Sequence, residues 1–105
     1  MITITIGSEQ RSLQDFTSQW VHDQLARRRN DNAVVCVKVA IDQTPLNMIL
    51  STPGCAASVQ RVASLRQPNP QESQIYALWD RQGLNNSGFT GSQVIAFVQQ
   101  LRRGI

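Results

Sequence analysis

The sequence predicts an α+β fold, a small three-stranded sheet with three to four helices packed on it. Three observations carry that expectation. Ile2, Ile4 and Ile6 alternate with Thr3 and Thr5, the run from Ala33 to Ile41 is the strongest strand signal in the chain, and the last third, Asn69 to Ile105, writes out two helices with their start and stop signals. The predicted order is strand, helix, strand, strand, an optional short helix, helix, helix, in one domain over residues 1–105. At this length the folded chain buries roughly 65% of the surface its unfolded form exposes, enough for a core without metal or disulfide.

The first strand places three branched apolar side chains on one face and two hydroxyls on the other, the pattern of a half-buried strand. Gly7-Ser8 breaks it. Leu13, Phe16, Trp20, Val21 and Leu25 then recur at three- and four-residue spacing, which gathers them on one stripe of a helix over Ser12–Arg29. Asn30-Asp31-Asn32 stops that helix, because these side chains tolerate turn geometry.

In the next strand Val35, Val37, Val39 and Ile41 share one face, and Val34, Cys36, Lys38 and Ala40 the other. Two mostly apolar faces predict a central strand. The segment Asp42-Gln43-Thr44-Pro45 has the length of a hairpin turn, and Leu46, Met48 and Leu50 continue on alternate positions, so the second and third predicted strands pair antiparallel. The first strand could pair either way, since the first helix can also serve as a crossover.

Residues 51–67 are rich in small side chains, with Val59, Val62 and Ala63 marking the optional helix; Gln67-Pro68-Asn69-Pro70 ends it. The following helix has Asn69 as cap, Pro70 at its first position, Glu72 as capping-box partner and Gly83 as its stop. Its buried face is Ile75, Leu78 and Trp79. In the last helix Thr90 caps, Gln93 completes the box, Phe89 staples against Val94, and Val94, Ile95, Phe97, Val98 and Leu101 form the apolar face.

The composition, 41% hydrophobic and 16% charged, is that of a globular chain. No apolar run approaches the ~20 residues needed to cross a bilayer and the first residues do not form a signal-peptide block, so the expected address is cytoplasmic, with no membrane partner and both thiols reduced. The net charge of +3 suits anionic partners. Yet Arg27, Arg28 and Arg29 end one predicted helix and Arg102 and Arg103 another, where each cation gains ~0.3–1 kcal/mol from the helix dipole.

Catalytic chemistry is sparse. His22 is the only histidine and sits at the edge of an apolar stripe with no inferable partner. Cys55 follows Thr52-Pro53-Gly54, which could open a helix and lower the thiol pKa, but no orienting group is evident. Two separated cysteines and one histidine lack the close spacing of a zinc site. Asp15 with Asp23, and Glu72 with Asp80, lie about two helical turns apart and read as surface charges. Gly88-Phe89-Thr90-Gly91 matches the bare Gly-x-x-Gly loop that KH domains use on nucleic acid, but it holds no Lys or Arg and no strand follows the last helix. A helix-turn-helix reading would need a Gly83–Phe89 linker longer than the usual turn and leaves Ser92, Gln93, Gln99 and Gln100 as readers, and core packing explains the apolar last helix more simply. No catalytic, cofactor-binding or metal-ligating residue is assigned.

The expected function is therefore a small non-enzymatic protein-interaction module, an adaptor or regulatory subunit of a larger cytoplasmic assembly. Its candidate protein interface is Tyr76, Arg81, Asn85, Asn86 and Phe89, around the Gly83–Gly91 connection. The alternative is weak nucleic-acid binding through Arg27, Arg28, Arg29, Arg102 and Arg103, which requires the two helix ends to converge. A cysteine-dependent enzyme is the third reading.

Overall fold

A computed structural model of the chain describes residues 2–28, 35–42, 47–52, 70–86 and 88–104. Among these are four strands, β1 (Ile2–Ile6), β2 (Glu9–Ser12), β3 (Val37–Asp42) and β4 (Asn47–Ser51), and three helices, α1 (Ser18–Arg28), α2 (Pro70–Arg81) and α3 (Gly91–Arg103). The strands form one sheet in the order β2-β1-β3-β4, with every neighbouring pair antiparallel. The α+β class is as expected, with four strands in place of three.

The added strand comes from a two-residue hairpin. Gly7, at φ 64, opens the turn, and Ile6 faces Glu9 across it. A positive φ is strained for a side chain with a Cβ and free for glycine, so Gly7-Ser8 closes the hairpin instead of merely ending a strand. The chain runs back along β1 through Glu9-Gln10-Arg11-Ser12, and this is why α1 begins six residues later than the expected Ser12. Thr17 starts the helix by accepting the Trp20 amide on its hydroxyl at 3.2 Å. Leu13 and Phe16 still reach the core, from a loop; the Phe16 ring meets Trp20 edge-on at 5.6 Å.

β2 and β3 flank β1 and both run antiparallel to it, so they are parallel to each other and α1 crosses over β1 between them. β3 is central, as its two apolar faces predict. Facing pairs such as Ile4↔Val39 and Val39↔Leu50 put Ile4, Ile6, Val37, Val39, Ile41 and Leu50 on one face, where they form one core with Trp20 and Val21 of α1, Ile75, Leu78 and Trp79 of α2, and Phe97 and Val98 of α3. Trp79 and Phe97 meet edge-on at 5.4 Å, which couples α2 to α3.

At the open end of the β3–β4 hairpin, the Thr52 hydroxyl accepts from Val37 N and donates to Val35 O, both at 3.2 Å. Next to it, Cys36 is in a disulfide, whereas reduced thiols were expected. The other cysteine of the sequence, Cys55, lies outside the described residues, as do Arg29, Gln43, Thr44 and Pro45 of the expected turn, the Asn69 cap, and Val59, Val62 and Ala63 of the optional helix. Among the described residues no helix is long and apolar enough to cross a membrane.

Candidate functional site

The candidate surface is built by the connection between α2 and α3. Gly83, at φ 75, follows α2 and allows a Schellman closure, in which Gly83 N donates to Asp80 O at 3.0 Å and Leu84 N to Trp79 O at 3.3 Å. Leu84 then buries completely beneath the turn. At the other end Thr90 and Gln93 form the expected capping box: Thr90 N donates to Gln93 Oε1 at 2.6 Å, and Gln93 N to Thr90 Oγ1 at 3.4 Å.

Two further bonds tie these ends together. Gln93 Nε2 donates to Gln82 O at 2.7 Å, so one amide satisfies the cap of α3 and a terminal carbonyl of α2. A Cβ on Gly83 would come within 2.7 Å of that Nε2, so a side chain here would displace the Gln93 amide as well as strain the backbone at its positive φ. The indole N–H of fully buried Trp79 donates to Asn85 Oδ1 at 2.9 Å, and Asn85 Nδ2 donates to Asp80 Oδ1. A buried indole needs an acceptor, and Asn85 is the polar residue that returns over it once Gly83 turns the chain.

Of the five candidate interface residues, Arg81, Asn85 and Asn86 are exposed. Asn85 has its amide committed to Trp79 and Asp80, Phe89 is half-buried against the core, and Tyr76, expected at the interface, is only 7% exposed. Tyr76 is buried with Ile75 because α2 buries a wider stripe than Ile75, Leu78 and Trp79 alone, with Glu72 also included. Arg81 and Asn86 are thus the side chains that a rigid connector leaves for contact.

The arginines divide between two places. Near the α3 N-terminus, a Cβ on Gly91 would lie 2.7 Å from Leu25 of α1; at the other end Arg102 bonds the loop that precedes α1. The helices therefore run antiparallel, and Arg27 and Arg28 sit at the opposite end of the pair from Arg102 and Arg103, separated by about the 16 Å length of an eleven-residue helix. Arg27 reaches Glu9 at 3.4 Å, and the same carboxylate accepts from Trp20 Nε1 at 3.1 Å and from buried Gln24 Nε2 at 2.6 Å, which fastens β2 to α1. Arg11 lies 5.0 Å from the Trp20 ring centroid, a cation–π contact.

Arg102 is the residue whose role the sequence concealed. Its Nε donates to Leu13 O at 3.1 Å, and its Nη2 to Leu13 O at 2.8 Å and to Phe16 O. No local pattern could announce a bond across 89 positions. His22 is exposed, on a groove of about 370 Å³ that it lines with Leu25, Ala26, Thr90, Gly91 and Ser92. Gly91 is explained by its close approach to α1, which accounts for half of the Gly-x-x-Gly pattern. Among the described residues no group of three His, Cys, Asp or Glu is placed to hold a metal ion.

Neither family models, nor curated proteins, nor solved structures give a match to this chain.

Proposed function

We propose that the chain is a small protein-interaction module, an adaptor or regulatory subunit, and that it meets its partner through Arg81 at the end of α2 and Asn86 on the α2–α3 connector. The supporting observation is the bond from Trp79 Nε1 to Asn85 Oδ1 at 2.9 Å, which anchors an exposed polar turn to the most buried ring of the core. Binding usually costs the ordering of loop and side chains, and a connector already ordered by the core avoids much of that cost. The surface is small against the ~800 Å² per partner of a stable complex, so it suits a transient contact or one part of a larger one.

A cytoplasmic setting is the simplest reading of the sequence, but the Cys36 disulfide favours an oxidising one, where such bonds persist. It also takes the Cys36 thiol out of play as a nucleophile, since the thiolate is the reactive form. Alkylation of the unreduced, denatured protein followed by intact-mass analysis checks this; no adduct is expected, and two adducts per chain would restore the free-thiol reading.

The interaction reading is tested with a photo-crosslinking residue at position 86 and a control at exposed Gln99 on α3. A discrete adduct at 86, absent at 99 and lost when Arg81→Ala is added, is the expected result. Equal adducts at both positions would count against the connector.

A further inference from the structure

The loop between β2 and α1 turns its carbonyls onto Arg102. A guanidinium is a rigid fork of five N–H donors, so fixing one edge fixes the direction of the rest. Here Nε and Nη2 are held by Leu13 O, Gln14 O and Phe16 O, at distances that include 3.1 and 2.8 Å to Leu13. Nη1 has no acceptor among the described residues. Beside this group is a cavity of about 390 Å³ lined by Leu13, Gln14, Leu101 and Arg102.

We propose that this cavity is a receptor for a small aliphatic carboxylate, with Arg102 Nη1 on the carboxylate and Leu13 and Leu101 against the hydrocarbon. The charge is complementary, and a charge-assisted N–H···O bond is among the stronger contacts a shallow site can make. The arginine is already immobilised by backbone carbonyls, so the ligand need not order it. Apolar walls next to a fixed cation select an acid that carries a few carbons over a bare inorganic anion, because the walls gain from covering hydrocarbon and nothing from covering water-loving oxygens. Gln14, an exposed residue, completes the lining. Two sources share this chemistry, the C-terminal leucine or valine of a peptide and a free short-chain acid. The site is separate from the connector surface and does not depend on it. Neither of two other depressions combines these features: the groove at His22 has no fixed cation, and the hollow at Ile2, Gln71 and Gln74 is about 110 Å³.

The test is a two-dimensional NMR titration of the ¹⁵N-labelled full chain with N-acetyl-leucine, N-acetyl-leucinamide and isovalerate. N-acetyl-leucine should shift the amides of Leu13, Gln14, Leu101 and Arg102 saturably, and the uncharged amide should bind at least tenfold more weakly. Isovalerate binding as tightly as N-acetyl-leucine would identify the free acid as the source, and weaker binding the peptide terminus. The Leu13→Ser variant keeps the carbonyl that holds Arg102 and should still lose at least fivefold in affinity. Equal shifts from the acid and its amide, shifts spread over Arg27 and Arg81 alike, or undiminished affinity in Leu13→Ser would overturn the proposal.

Discussion

Two joints hold this molecule together, and they are built on opposite principles. The α2–α3 connector is closed by residues close in sequence: the Trp79–Asn85 bond spans six positions and the Gln93–Gln82 bond eleven. The joint between β2 and α1 is closed from the far end of the chain, by Arg102 on Leu13 and Phe16, with Glu9 on Trp20 and Gln24 as the nearer fastening. A local joint can form as soon as its own helices form. The distant one exists only when α3 has docked, so the N-terminal hairpin and α1 depend on the C-terminal helix for their final geometry.

The largest break in this contrast comes from the core that the local joint covers. Trp79→Ala removes a fully buried ring, its edge-on contact with Phe97 and the donor to Asn85, and should cost on the order of 3–5 kcal/mol. Chemical denaturation reads this; a loss under 1 kcal/mol would mean that the ring is not core. Next comes Arg102→Ala, at about 1–2 kcal/mol for charged hydrogen bonds to carbonyls that water can partly replace. Arg102→Lys should recover little, since an ammonium cannot reproduce the planar fork. Full recovery by lysine would reduce Arg102 to a simple surface charge.

Gly83→Ala should cost about 1–2 kcal/mol, because the left-handed backbone is strained by any Cβ and the Gln93 amide must also move. An unchanged melting point would show that the turn can relax to another form. The smallest effect is Thr90→Ala, about 1 kcal/mol for a lost cap, which in a chain of this size lowers Tm by roughly 4–8 °C. A double variant of Gly83 and Thr90 should show coupling through their shared partner Gln93, whereas Gly83 with Arg102 should be additive.

The same contrast explains what could be read from the chain beforehand. α2 and α3 were legible because Pro70, Gly83, Thr90 and Gln93 act on neighbours within a few residues, and Ile75, Leu78 and Trp79 are buried where their period placed them. β3 was legible as central because both its faces are apolar. β2 was not, because an exposed edge strand spelled Glu-Gln-Arg-Ser has no apolar alternation, and the helical spacing of Leu13, Phe16 and Trp20 extended the helix pattern over it. The available signal was the pair Gly7-Ser8, a two-residue hairpin turn. At the candidate site, Arg81 is exposed on the last turn of α2 and Asn86 in the loop after it, while the commitment of the Asn85 amide follows from the need of a buried indole for an acceptor. The grip of Arg102 had no local signature, and a helix-terminal arginine is equally well explained by the dipole.

Amide hydrogen exchange on the Arg102→Ala and Thr90→Ala variants compares the two joints most directly. If the distant joint depends on α3, Arg102→Ala will accelerate exchange at Leu13 and Asp15, whose amides bond Ile2 O and Ser12 O, and leave Leu84 protected as in the parent chain. Thr90→Ala will leave Leu13 and Asp15 unchanged relative to the global loss of stability. Leu13 and Asp15 exchanging at the parent rate in Arg102→Ala, or Leu84 accelerating equally with them, would contradict the account.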